Sequence, residues 1–95
     1  MDKIVTKVNE IKLIGALKPF ERETGIYWLS DENIVNISTT DNYIITLMKE
    51  CYKKDKSIQV IQKMNGKKID SYLFKIPINN IAICNKILSP PQENN

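Results

Sequence analysis

Few residues in this chain can do chemistry near neutral pH. There is no histidine, which removes the usual general base and the commonest metal ligand. The two cysteines, Cys51 and Cys84, cannot complete a zinc site alone and are no disulfide framework. As a nucleophile Cys51 needs an activating base. Nearby lysines could lower its pKa, but no base or orienting group stands at a recognisable spacing. Both thiols are expected to be buried and inert. The carboxylates Glu21, Glu23, Asp31 and Glu32 read as single or adjacent surface charges. Magnesium-dependent hydrolysis needs carboxylates converging from different elements, and only the fold decides whether Asp41 and Asp70 meet. The glycines at 15, 25 and 66 are isolated, so no phosphate-cradling loop is present. No catalytic, metal-binding or cofactor-binding residue is assigned. The chain is expected to be non-enzymatic and to carry no cofactor.

What remains is charge and aromatic surface. The net charge of +3 is mild for a nucleic-acid binder, but it is unevenly spread. Residues 49–75 hold eight lysines against Glu50, Asp55 and Asp70, whereas residues 1–48 are net acidic. Lys63, Lys67 and Lys68 cluster near an Asn-Gly pair, and Lys53 and Lys54 precede the same segment. Together with Tyr72 as a stacking ring they form a candidate anion-binding ribbon. Lysine contacts to phosphate are non-specific and salt-sensitive. A single arginine, Arg22, argues against base-specific bidentate readout. The plainer reading is a solvated lysine surface that protects a sheet edge from aggregation. Tyr27 and Trp28 are the second candidate surface. On a strand they point to opposite faces, so one ring is expected to anchor the core while the other reaches a rim or groove.

The element that must position these groups is a hairpin over Ser57 to Pro77. Asn65-Gly66 between two apolar, β-prone runs is a strong hairpin signal. A type I′ turn centred on that pair sets Lys63 opposite Lys68, Val60 opposite Ser71 and Ile58 opposite Leu73. Ile58, Val60, Met64, Ile69 and Leu73 then form the buried face. Gln59, Lys63, Lys68, Asp70 and Tyr72 face outward, with Ile61 and Phe74 as apolar exceptions. These two are expected to pack in a second layer near a corner of a curled sheet.

The other segments are shorter. Strands are expected around residues 3–8 and 10–14, with a short amphipathic helix as the competitor, and Gly15 and Pro19 end the element. Residues 19–25 read as a polar connector, Ile26 to Leu29 as a strand, Ser30 to Asn33 as a turn and Ile34 to Thr40 as a strand. Residues 42–54 read two ways. A strand ending near Glu50 is preferred, and a helix over the same residues, with Ser38 and Asp41 resembling a capping box, is the alternative. Ile81 to Leu88 reads as a closing strand, and residues 89–95 as a proline-rich, disordered tail.

The expected fold is mainly β: one domain over residues 1–88, a small curled antiparallel barrel or roll of SH3-like or Sm-like size. An α+β form with one helix at about 42–54 is the alternative. No apolar run approaches membrane-spanning length and no secretory leader is apparent, so a cytoplasmic protein without a membrane partner is expected. The expected function is protein binding by a regulator, adaptor or inhibitor acting through an exposed sheet surface or edge, with self-association into a homo-oligomer as one form of it. The alternatives are weakly sequence-specific RNA or DNA binding through the lysine-rich hairpin, and sequestration of a small ligand.

Overall fold

The computed structural model describes residues 2–15, 18, 21–28 and 31–82. In chain order its elements are β1 (Lys3–Val5), β2 (Thr24–Trp28), β3 (Ile34–Thr39), the helix α1 (Asn42–Lys54), β4 (Gln59–Asn65) and β5 (Lys68–Pro77). The strands form one antiparallel sheet in the order β1-β4-β5-β3-β2. The hairpin of β4 and β5 thus supplies its centre. Short 3-10 turns occur at Val8–Glu10 and Ile78–Asn80. Among the described residues no helix is long and apolar enough to cross a membrane.

The sheet is open, not closed into a barrel. Among the described residues β1 and β2 are its two edges. The physical reason is α1. Residues 42–54, preferred as a strand from their β-branched content, form a helix that covers one sheet face. That face needs no second sheet layer to leave water. Asp41 starts the helix by accepting a hydrogen bond from the Tyr43 backbone N–H at 2.9 Å. Ile45, Met48, Cys51 and Tyr52 follow at helical spacing, and all four are buried. Capping and periodicity together outweigh the modest helix penalty of Ile and Thr.

The hairpin turn also differs from the expected one. Asn65 pairs with Lys68 and Met64 with Ile69, so Gly66 and Lys67 form the loop. Gly66 alone has positive φ, +65°, among the turn residues. Glycine at the first central position is the signature of a type II′ turn, not type I′. A bulge between Lys63 and Met64 then shifts the register again. Beyond it Lys63 faces Ser71, not Lys68, Gln62 faces Tyr72, and Val60 faces Phe74. Tyr72 and Phe74, expected outside, are therefore on the core side. Leu73 pairs with Ile61 on the opposite face.

The core face can be followed as rows across the sheet. Val5, Val60, Phe74, Ile37 and Ile26 are successive cross-strand neighbours. The first four are buried in one core with α1 and with Ile11 and Ile14, whereas Ile26 is 58% exposed. Cover over this face therefore stops between β3 and β2.

The N-terminal segment makes one three-residue strand, not two strands. β1 pairs with β4, and the chain then turns over Val8–Glu10. Residues 11–14 lie outside the ladder, with Ile11 and Ile14 buried. Side chains hold this strap in place of a ladder. The Tyr72 hydroxyl donates to the Lys12 carbonyl at 2.7 Å and accepts from the Lys12 N–H at 2.8 Å. Asn42 does the same for Ile14, accepting its N–H and donating to its carbonyl, both at 2.8 Å.

Ile81 and Ala82 are helical, not extended. The rest of the expected strand over 81–88, with Cys84, lies outside the described residues, as does the 89–95 tail. Leu29, the expected end of the strand from Ile26, lies outside them too, and that strand begins earlier, at Thr24.

Candidate functional site

The eight residues singled out from sequence do not form one site. Trp28 and Tyr27 lie on β2, at one edge of the sheet, with β3 and β5 between them and the lysine-bearing β4. Lys63, Lys67 and Lys68 surround the hairpin turn, whereas Lys53 and Lys54 end α1 and lead into the other end of β4. A seven-residue strand spans roughly 20 Å, so the two lysine groups are not one patch. Tyr72 is fully buried and cannot stack on a ligand. Its ring lies against Phe74, with centroids 5.7 Å apart, and its hydroxyl also accepts a hydrogen bond from Gln62 Nε2 at 2.9 Å. Cys51 is fully buried, as expected of an inert thiol.

Lys67 instead meets two lysines the sequence did not single out. With Lys3 and Lys12 it lines a cleft of about 390 Å³ beside β1, floored by Gln62, Met64 and Ile69. Lys3 is held by Glu10 at 2.9 Å. Glu10 also accepts the backbone N–H groups of Thr6 and Lys7 at 3.1 and 3.0 Å. The Lys3 ammonium first, and then the Thr6 N–H, hold the Glu10 carboxyl down to about 2. Part of the positive charge of this cleft is thereby neutralised from within.

The better-formed candidate is the β2 edge. All five of its residues are exposed. Its inner side is stitched to β3. The Thr40 N–H donates to the Glu23 carbonyl at 2.9 Å, and the Glu23 N–H donates to Thr40 Oγ1 at 2.8 Å. Thr24 and Thr39 hydroxyls share a hydrogen bond at 2.8 Å. In an antiparallel ladder the hydrogen-bonded pairs alternate. With Glu23 turned toward β3, Gly25 and Tyr27 bond inward next, and Thr24, Ile26 and Trp28 present N–H and C=O to the free edge. The same three side chains share the α1 side of the sheet, where Ile26 and Trp28 are 58% and 62% exposed. Tyr27 projects from the reverse face and is 48% exposed.

Tyr27 and Trp28 thus do point to opposite faces, but neither anchors the core. Trp28 is the ring on the α1 side. It is left out because α1 does not extend over β2. The edge also departs from the usual protections. It carries no lysine, no proline and no bulge. The neighbouring carboxylates, Glu21, Glu23, Asp31 and Glu32, are exposed around it. Glu23 and Asp70, from different elements, line a cleft of about 360 Å³ on the reverse face with Gly25, Ser38 and Ser71. Asp70 and Asp41, the pair raised from sequence, do not share it. Among the described residues no group of three or more cysteine or carboxylate side chains could hold a metal.

No family model, curated protein or solved structure matches this chain.

Proposed function

We propose that this chain is a non-enzymatic, protein-binding regulator or adaptor that takes an extended segment of its partner as a sixth strand beside β2. The observation that carries this reading is the exposed row end at Ile26 and Trp28, on a strand whose outward backbone groups have no ladder partner among the described residues. Main-chain hydrogen bonds would supply affinity, and alternate side chains specificity. Trp28 and Tyr27 are the ring types that dominate interface hot spots.

Nucleic-acid binding is the second reading, supported by the cleft that Lys3, Lys12 and Lys67 share. It lacks a stacking ring there, because Tyr72 lies in the core.

One substitution separates the two. Ile26→Pro removes an outward N–H without touching the bonds to β3, since proline is tolerated where the donor faces solvent. Extended peptides selected from a random library should move the amide resonances of Thr24, Ile26 and Trp28, and should lose binding to the Ile26→Pro variant. Selected peptides that move Lys3, Lys12 and Lys67 instead, or that bind the variant undiminished, overturn the edge reading.

A further inference from the structure

We infer that the segment received by β2 is a basic one, in which lysine or arginine alternates with apolar residues. This rests on the strand-addition reading above and names the chemistry of its partner. Three observations carry it, one for each direction in which an added strand would meet the molecule.

Side chains on an added strand alternate between the two faces of the sheet. Toward α1 they meet Thr24, Ile26 and Trp28, an apolar strip left without cover. Apolar residues at every second position remove that strip from water.

Toward the reverse face they meet Gly25 and Tyr27. Gly25 has no side chain, and a Cβ built on it would meet nothing within 4 Å. The space opens into the cleft shared by Glu23 and Asp70, with the Ser38 and Ser71 side chains beside them. A long cationic side chain entering over Gly25 would reach two carboxylates from different strands or their flanks, and charge-assisted hydrogen bonds are the strong ones. The next residue on that face meets the exposed Tyr27 ring, which favours a cation over it.

At the ends of the strand the field is acidic. Residues 21–32 carry four carboxylates, Glu21, Glu23, Asp31 and Glu32, against one arginine. This bears on the occupant. A second copy pairing antiparallel about Ile26 would set the Glu21 end of each copy against the Asp31–Glu32 end of the other, like against like. A basic partner meets complementary charge at both ends, which favours its docking over self-pairing.

The test uses the only tryptophan, Trp28, as its reporter. A short synthetic peptide alternating valine with lysine and arginine is titrated into the whole chain, and the same peptide with glutamate for each basic residue is the control. The basic peptide should shift Trp28 emission to the blue, move the amides of Thr24, Ile26 and Trp28, and weaken as salt is added. Its affinity should fall about tenfold in a Glu23→Gln, Asp70→Asn double variant, whose carboxylates make none of the hydrogen bonds holding β2 to β3. Equal binding of the acidic and basic peptides overturns the charge assignment and leaves strand addition standing. Failure of both peptides to move those amides overturns both. Sedimentation showing that the chain dimerises through β2 without peptide overturns the basic partner in favour of a second copy.

Discussion

Tyr72 shows how a single side chain can stand in for a missing strand ladder. Its hydroxyl makes three hydrogen bonds, to the N–H and C=O of Lys12 and to Gln62, which is all an O–H group can satisfy. Gln62 in turn donates to the Glu10 carbonyl at 3.3 Å. The Lys12 end of the strap over residues 11–14 is therefore held by one atom that sequence periodicity assigned to solvent. Tyr72→Phe keeps the buried ring but leaves the Lys12 N–H and C=O without their partner and takes from Gln62 Nε2 the shorter of its two hydrogen bonds. It should cost about 1–3 kcal/mol in chemical denaturation. A change within a few tenths would show that water replaces the hydroxyl. Glu10 gives a second, pH-dependent test. Its carboxyl titrates near 2 in the fold and about 4.5 when unperturbed. Above about 4.5 its contribution to stability is fully present. As pH falls from there toward 2 the unfolded chain takes up the proton first, so the contribution is lost across that window. Stability measured against pH should fall less steeply there for Glu10→Gln than for the unmodified chain, and added salt should narrow the difference.

At the level of elements, most strands were legible and their faces were not. The hairpin was readable because Gly66 supplies the positive φ that either kind of two-residue loop needs. Moving the loop one residue along changes each pairing by two and keeps every residue on its expected face. The bulge between Lys63 and Met64 changes it by one more. That odd step sends Tyr72 and Phe74 inward and Leu73 to the reverse face. Nothing in the residues around Lys63 announces a bulge, so the lysine ribbon inherited a wrong register. Residues 42–54 were ambiguous for another reason. Their β-branched residues fit a strand, and the decisive signal was local, the Asp41 cap. Asp41→Ala should lower stability by about 1 kcal/mol and reduce helical circular dichroism. An unchanged spectrum and midpoint would mean that tertiary packing alone sets the start of the helix. The β2 edge was legible as a strand with two aromatic rings. Its openness was not, because it depends on how far α1 reaches across the sheet.

Across the whole molecule, the sheet has two unlike faces. On the α1 side, Val60, Phe74, Ile37 and Ile76 are buried in one continuous core with Ile45, Met48 and Tyr52. On the reverse side the row from Ile4 through Ile61 and Leu73 to Ser38 lies outside that core, and Ile4 is 69% exposed. Isoleucine occurs sixteen times in the chain, so its presence at a position carries little information about burial. The fold separates isoleucines that hold the structure together from those that do not. Phe74→Ala should cost about 3–5 kcal/mol, a large share of the 5–15 kcal/mol that domains of this size possess. Ile4→Thr, on the reverse face of an edge strand, should change stability by no more than about 0.5 kcal/mol. Ile26→Thr belongs with Ile4 on this scale although it shares a row with Phe74, because cover stops at β3. If instead Ile26→Thr destabilises the isolated chain as a core substitution does, the β2 edge is already packed, and it cannot be the surface a partner strand adds to.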